Sequence, residues 1–151
     1  MCSAPTLHEI EPLFHCIVSV DKHSTKKNGK MSFFNKKTGK SWITTKPSAK
    51  RNEANLVGML LQIKNNVKGV FPLTQDIHAE FIFYFDDYYT SKMVRRKNLP
   101  DLSNLLELPA DALQNAGVIE NDTQICSFND SRRKPSEANT LEIYLWPMDA
   151  L

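Results

Sequence analysis

The sequence lacks the long apolar runs and the cysteine patterns that mark membrane and disulfide-rich proteins. Nothing near the roughly 18 consecutive apolar residues of a membrane helix occurs, and the N-terminus has no basic segment followed by a long apolar one. The three cysteines, Cys2, Cys16 and Cys126, are odd in number and widely spaced, which fits neither a disulfide framework nor a zinc site. We therefore expect a cytoplasmic protein with reduced thiols and no membrane contact.

Glycine is also scarce, and its placement argues against one class of enzyme. The chain has 5 glycines and no G-x-x-x-x-G-K-[ST] stretch, so neither a nucleotide-hydrolysing motor nor a nucleotide cofactor is expected. No internal repeat or low-complexity segment divides the 151 residues, and a hydrophobic content of 41% is enough for a core. A single domain spanning residues 1–151 is predicted.

Positive charge is unevenly distributed along the chain, although the formal net charge is only +2. Ten of the 19 Lys and Arg residues lie between Lys22 and Arg51, and no acidic residue occurs in that interval. Two shorter basic runs follow at residues 92–97 and 132–134, and most carboxylates lie outside all three runs. Basic segments beside acidic positions suit an enzyme that draws in a polyanion and holds a divalent cation, whereas one lysine-rich loop is also typical of a solvated surface.

The N-terminal half is predicted to contain two strands separated by a basic segment. Residues 14–20 (FHCIVSV) and 41–45 (SWITT) are short runs rich in apolar and β-branched residues. The lysine-rich residues 21–40 between them carry Asn-Gly and Thr-Gly turn signals that end at Gly29 and Gly39. This composition predicts a basic mobile loop or hairpin.

Two helices are predicted from apolar residues spaced three and four apart. The first covers residues 47–66, and the second covers residues 102–116 and ends at Gly117. Pro109 interrupts the second helix. Either the helix kinks there, or its ordered part begins near Leu108 with the proline in its first turn.

Three further strands complete the prediction. Residues 77–85 (IHAEFIFYF) are almost continuously apolar, as in a central strand that is covered on both faces. Residues 86–100 are polar and basic without a clear period and should form a loop. Residues 124–128 and 140–146 are predicted to be the last two strands, separated by a basic turn.

Two aspartates, Asp101 and Asp122, flank the second predicted helix. Mg²⁺ prefers oxygen ligands and is often held by one or two carboxylates together with substrate phosphates, so these side chains could hold such a cation if the fold brings them together. Asp101 could equally cap the helix, as could Ser103, and Asp122 could be an ordinary turn residue. The residues alone leave both alternatives open.

Three short segments around this helix share a wider pattern. They are residues 101–105 (DLSNL), 111–113 (DAL) and 121–125 (NDTQI). The pattern resembles the signature of the RusA family of Holliday-junction resolvases, which carries D-x-D-N-L, then D-A-L, then D-D-x-Q-(V/I) at these spacings. The resemblance covers most of the chain and is most specific in these central residues. It implies an α/β (α+β) domain, a small mixed β-sheet packed by two main helices, that works as a homodimer on branched DNA and cuts a phosphodiester with Mg²⁺, Mn²⁺ being a possible substitute.

The resemblance also implies roles for individual residues. By position, Asp101 and Asp122 match the family's first and last metal-binding aspartates and are the expected catalytic and metal-binding residues. Two positions depart from the pattern: Ser103 stands where the family has an aspartate, and Glu107 stands where it has a lysine. Because these two are one helical turn apart, the Glu107 carboxylate could replace the missing ligand directly or through water. Otherwise Glu107 simply faces solvent near a helix start, where acids are favoured.

Several other polar residues are candidates for lesser roles. Glu120 is a further candidate metal ligand, and Asn104 is a polar residue at the helix start. His23 lies in the basic segment and could touch phosphate, whereas His15 and His78 lie in strand-like runs and are expected to pack. The predicted DNA contacts are cations of the three basic runs: Lys26, Lys27, Lys30, Lys36, Lys37, Lys40, Arg95, Arg96, Arg132, Arg133 and Lys134.

Two functions follow from these expectations. The first is a Mg²⁺-dependent, structure-selective endodeoxyribonuclease that resolves Holliday junctions or related branched DNA in recombination and repair. The second is a branched-DNA-binding protein of the same fold in which Ser103 and Glu107 mark weakened or lost cleavage. In either case Phe33 and Phe34 could wedge against opened bases or pack a dimer interface.

Overall fold

The structure, a computed structural model, describes residues 7–25, 30–45 and 47–150. Within these residues there are seven β-strands, three α-helices and three short 3-10 turns. The strands are β1 (Phe14–Ser19), β2 (Lys30–Asn35), β3 (Lys40–Thr45), β4 (Ile77–Phe85), β5 (Ile125–Ser127), β6 (Arg132–Pro135) and β7 (Thr140–Pro147). The helices are α1 (Pro47–Asn66), α2 (Leu102–Leu105) and α3 (Glu107–Asn115), and the 3-10 turns are Leu7–Glu9, Asp122–Gln124 and Met148–Ala150.

The main sheet is mixed and has β4 near its centre. Its strands follow the order β1-β7-β4-β5, and β6 also pairs with β4. The pairs β1/β7 and β4/β7 are antiparallel, whereas β4/β5 and β4/β6 are parallel. The mixed sheet, the helices beside it and the central position of β4 confirm the predicted fold class and the strand predicted at residues 77–85.

The hydrophobic core joins alternate residues of the strands to the two longer helices. Phe81 of β4 and Ile143 of β7 belong to one buried cluster with Leu60 of α1 and Leu113 of α3, and all four side chains are fully buried. Burying one such side chain contributes about 1.5–3 kcal/mol. The apolar periodicity of α1 and α3 is therefore what attaches both helices to the sheet.

The residues between these positions on β4 and β7 form a polar set on the opposite face of the sheet. Glu80 on β4 is buried, and its Oε1 accepts a hydrogen bond from Arg132 Nη1 at 2.6 Å. Its Oε2 lies 2.9 Å from His8 Nε2. Nearly every residue of β4 is buried, which confirms the prediction that most of both faces of this strand are covered. Glu80 is tolerated there because Arg132 pairs with its carboxylate.

A second carboxylate on this face, Glu142 of β7, accepts three side-chain hydrogen bonds. The donors are His15 at 2.9 Å, Tyr84 at 3.0 Å and Tyr144 at 2.9 Å. Burial alone raises the pKa of Glu142, but these hydrogen bonds together outweigh burial and hold that pKa below its ordinary value. His15 thus has a polar partner as well as the packing role predicted for it, since it also stacks on Tyr144.

Three local predictions need correction or refinement. Residues 132–135 form strand β6 rather than the predicted basic turn, because Arg132 and Arg133 pair with Ile82 and Phe83 in the second half of β4. Residues 30–45 form the β2–β3 hairpin, which confirms the hairpin alternative for this part of the basic segment, with Gly39 in its turn at φ +71. The turn signal at Gly29 lies outside the described residues.

The second predicted helix is divided into α2 and α3. A proline lacks the amide that a helix needs, so Pro109 cannot donate to the carbonyl of Leu105, and α2 ends at that residue. Pro109 lies in the first turn of α3, which confirms the second alternative for this segment. Gly117, at φ +72, ends the helix as predicted, with Val118 donating to the Leu113 carbonyl at 3.0 Å.

No helix in the described ranges is long and apolar enough to cross a membrane.

Candidate active site

Asp101 occupies the N-cap position of α2, but its side chain does not cap the helix. Its backbone carbonyl accepts hydrogen bonds from the amides of Asn104 and Leu105, both at 3.1 Å, while its carboxylate makes no capping bond. The side chain is exposed, and over the described ranges it has no ion pair. The capping alternative is therefore wrong for this carboxylate, which remains available to a ligand. Ser103 does not cap either, since it lies inside α2.

Arg133 fixes the segment that leads into Asp101. Its Nη1 donates to the carbonyl of Pro100 at 2.9 Å, and its backbone pairs with Phe83 near the end of β4. A charged donor makes a hydrogen bond worth about 1.5–3 kcal/mol, roughly twice a neutral one. The position of Asp101 is thus tied to the central strand through one arginine side chain.

Ser103 and Glu107 both lie on the exposed side of the α2–α3 segment. Leu106, between the two helices, keeps helical dihedral angles of φ −69 and ψ −28, and its amide donates to the Leu102 carbonyl at 3.2 Å. The spacing of about one helical turn between Ser103 and Glu107 therefore persists across the break. Asn104, half-buried, contributes its backbone amide to the turn that follows Asp101.

Asp122 begins a short 3-10 turn that is held by its neighbours. The turn is closed by a capping box, in which Asn121 Oδ1 accepts from the Thr123 amide at 2.9 Å and Gln124 Oε1 accepts from the Asn121 amide at 2.7 Å. The Asp122 amide donates to Gln114 Oε1 of α3 at 2.9 Å. The turn-residue alternative is therefore correct for the backbone of Asp122, and its exposed carboxylate has no hydrogen bond or ion pair in the part of the chain that the structure describes.

Gln124 anchors this turn to the rest of the domain. Its side chain is buried, and its Nε2 donates to the carbonyls of Leu73 at 2.8 Å and Gln75 at 2.9 Å. Sequence reasoning gave Gln124 no role of its own, although the Asn-x-x-Gln spacing is a recognisable capping-box signal. The roles of Gln114 and Arg133 as positioning residues had no such signal, because they depend on contacts between distant parts of the chain.

The side chains of the site can be compared with the ligands that a divalent cation requires. Asp101 and Asp122 supply exposed carboxylate oxygens, the ligand type that Mg²⁺ requires, and two carboxylates suffice when water and phosphate complete the octahedron. Among the described residues, no three His, Cys, Asp or Glu side chains are arranged to hold a metal ion. Glu107 and Glu120 are both exposed. Neither of them therefore joins Asp101 and Asp122 in a group of three acids within one chain.

The predicted DNA-contacting cations fall into different environments. Arg132 is occupied by the buried Glu80 and by the carbonyl of Asp130 at 2.6 Å, and Arg133 by Pro100, so both have structural partners. Lys26 and Lys27 lie outside the described residues, and Lys30 begins β2. The exposed ones are Lys36, Lys37, Lys40, Arg95, Arg96 and Lys134.

His23 does not have the phosphate-binding role predicted for it. The ring is buried against Phe83 and Phe85, and its Nε2 donates to the Tyr84 carbonyl at 2.7 Å. Burial lowers the pKa of His23, outweighing the opposing effects of that hydrogen bond and of nearby Asp87 and Asp86. His78 is fully buried and stacks on Trp146, as expected of a packing residue.

Two exposed carboxylates with anchored backbones, one at the start of α2 and one in a 3-10 turn, lie in a small domain that also has basic segments. This combination has the chemistry of a domain that acts on phosphodiesters. Comparison with known families identifies the domain: the family model described as Endodeoxyribonuclease RusA matches residues 24–145. Because the match spans most of the 151 residues, the chain belongs to the RusA family, as the residue pattern around Asp101 and Asp122 predicted. The family is one of endonucleases that resolve Holliday junctions, and its members generally use a divalent metal. No curated protein is a significant match to the chain.

Proposed function

We propose that this protein is a divalent-metal-dependent endodeoxyribonuclease that cuts branched DNA as a homodimer, with Asp101 and Asp122 as its metal-binding and catalytic residues. The observation that carries the proposal is that both carboxylates are exposed and without a hydrogen bond or ion pair to any described residue, while their backbones are fixed by Arg133 and Gln114. Neither carboxylate is used for a cap or an ion pair in the part of the chain that the structure describes. Here other groups hold the backbone, and the carboxylates are left for a ligand.

Asp101 and Asp122 would hold Mg²⁺, which when bound activates water and neutralises charge that develops on the phosphate. The protein's own contribution is positional. Arg133 holds the entry to Asp101, and the capping box of Asn121 and Gln124 holds Asp122, so that both acids are oriented before DNA arrives. Two such sites, one in each subunit of a two-fold dimer, would match the approximate two-fold symmetry of a four-way junction.

Exposed cations would bind the DNA backbone. Lys36, Lys37 and Lys40 lie at the turn of the β2–β3 hairpin, and Arg95 and Arg96 follow a tight turn in which Thr90 and Val94 are bonded at 2.8 Å. Such contacts position a duplex without reading its sequence. Because each neutralised phosphate releases counterions, junction affinity should fall steeply with added salt.

Ser103 and Glu107 determine how strongly the site can hold its cation. A serine in place of the family's aspartate removes one negative ligand, which favours weaker Mg²⁺ binding. Glu107 would supply the missing charge from one helical turn away, directly or through water. Glu107→Ala should then weaken Mg²⁺ binding and slow cleavage, whereas Ser103→Asp should strengthen both. Unchanged Mg²⁺ dependence in Glu107→Ala would eliminate the compensating role of Glu107.

A second candidate function is a branched-DNA-binding protein that no longer cuts. It is favoured by Ser103 and by the absence of a three-acid metal group among the described residues. Glu120 would then be only an exposed residue before the turn.

The experiment that separates the two functions uses a synthetic four-way junction incubated with the purified protein, with and without Mg²⁺ or Mn²⁺. Paired nicks that require the metal support the nuclease. Salt-sensitive, metal-independent retention of uncut junctions supports the binding protein. If no junction is retained even at low salt, both functions are wrong.

A further inference from the structure

A cavity of about 450 Å³ lies between α1, the first turn of α3, and residues 19–24, which are the last residue of β1 and the segment after it. Its apolar lining includes Leu56, Phe83 and Leu141, all buried, together with Leu108 and Pro109 of α3. The volume falls within the range of about 300–1,000 Å³ that is typical of pockets for small organic molecules. Helix α3 links the cavity to the candidate active site along the chain, since Leu108 lines the cavity and directly follows the exposed Glu107.

The rim of the cavity is polar and carries amide groups. Asn55 and Gln62 of α1 are exposed there, and Asp21 and Lys22 line the cavity from the segment that follows β1. Asn52 Nδ2 donates to Ser24 Oγ at 2.7 Å, which ties α1 to the segment that follows β1. Asn and Gln side chains both donate and accept hydrogen bonds, as needed to recognise the edge of a nucleobase.

Gly58 lies in the middle of α1 and keeps the mouth of the cavity open. A Cβ atom built at Gly58 would meet no atom within 4 Å, so no packing contact requires a glycine at this position. Its conformation is helical, so no backbone strain requires it either. Glycine inside a helix is intrinsically unfavourable relative to alanine. Its presence beside an open space is explained if the space is needed for a ligand.

We propose that this cavity binds one unpaired nucleobase of the DNA substrate, released at the branch point, and so contributes a preference for which base lies beside the cut. The proposal rests on the branched-DNA function proposed above. The apolar lining would hold the faces of the base, the amides of Asn55 and Gln62 would contact its edge, and Lys22 would lie near its phosphate. A branch point makes release of such a base easier, since stacking between neighbouring base pairs is interrupted where the strands exchange.

The test uses junctions that carry either a normal nucleotide or an abasic site at each position around the branch point, with binding measured by fluorescence anisotropy in metal-free buffer. For the wild-type protein we expect one abasic position to reduce affinity by about 10-fold, the scale of losing one stacked base. Gly58→Leu fills the mouth of the cavity and should remove this difference, leaving the affinity for the abasic junction unchanged. Asn55→Ala should reduce the difference partially.

Two controls on the same helix introduce the same side chains outside the cavity. Asn65 is exposed and does not line the cavity, so Asn65→Leu and Asn65→Ala should both keep the wild-type difference between normal and abasic junctions. Circular dichroism confirms that each variant is folded, and Asn55→Ala carries the test if Gly58→Leu does not fold. The proposal is overturned if no abasic position matters to the wild type, or if the cavity variants retain the full difference. If the wild-type protein binds no junction at all, that separate result overturns the proposed function as well.

Discussion

Arg133 should control cleavage through the position of Asp101 rather than through contact with DNA. The only hydrogen bond or ion pair that the described structure gives the Arg133 side chain is the 2.9 Å bond to the Pro100 carbonyl, and the side chain is half-buried. Arg133→Ala removes a charge-assisted bond of about 1.5–3 kcal/mol and frees the residue that precedes Asp101. Because a displacement of about 1 Å at a reacting group can cost about 100-fold in rate, we expect single-turnover cleavage to slow by about 10- to 100-fold.

The assay must separate this positional role from a phosphate contact. If Arg133 only positions Asp101, Arg133→Ala leaves the slope of log affinity against log salt unchanged, and the rate stays low when protein is saturating. Lys134 is the matched control, since it is an exposed cation on the same strand. If Lys134 contacts phosphate, Lys134→Ala should reduce that slope by about 0.9 without slowing the cleavage of bound DNA. Arg133→Lys keeps the charge but not the planar guanidinium, and should also cut slowly. A normal saturated rate in Arg133→Ala, with a reduced salt slope, would refute the reasoning.

Three further predictions concern stability. Gly58→Ala should raise the free energy of unfolding by about 1 kcal/mol, because alanine is a better helix former and its Cβ meets open space; thermal unfolding measures it, and a lowered Tm would contradict it. Gln124→Ala removes three hydrogen bonds of a buried side chain and should cost roughly 3 kcal/mol in urea unfolding, whereas exposed Gln62→Ala should change stability by less than about 0.5 kcal/mol. The pKa of Glu142 in the folded protein is held below its ordinary value. The ionised carboxylate therefore contributes its full stability above the ordinary pKa, and this contribution is lost as pH falls through the pKa of the folded state. Glu142→Gln should therefore unfold with less dependence on pH between about pH 6 and about pH 3 than the wild type, and an unchanged profile would argue against this role.

The predicted elements that agree best with the structure are those with strong local signals. The apolar run of β4, the helical spacing of α1 and the Gly117 helix end all depend on neighbouring residues, so the sequence was sufficient to predict them. Strand β6 was missed because its polar residues carry no strand period. Arg132 and Arg133 adopt an extended conformation only because β4 offers an unpaired edge, a tertiary effect that local propensity does not contain.

The candidate site, like the fold, could be predicted from the sequence only in part. Asp101 and Asp122 were predicted from a residue pattern, but the groups that hold their backbones, Arg133 and Gln114, come from other elements and carried no signal in the sequence. The opposite error affected His23, for which a phosphate contact was predicted from its position alone and which is buried. The DNA contact predicted for Arg132 stays a prediction, although its side chain already pairs with Glu80. Both have buried or ion-paired partners, because a polar side chain in a crowded region of the fold first satisfies its own hydrogen bonds.

The most direct test of the proposed nuclease measures single-turnover cleavage of a four-way junction with Mg²⁺ by the wild type, Asp101→Asn and Asp122→Asn. Asp149→Asn serves as the matched control, since Asp149 is exposed in the final 3-10 turn. The substitutions remove one negative charge each with little change in shape, so binding of the junction should be retained. We predict that Asp101→Asn and Asp122→Asn cut at least about 100-fold more slowly than the wild type, while Asp149→Asn cuts normally. Wild-type cleavage rates in either variant, or a wild-type protein that binds the junction and never nicks it, would contradict the account.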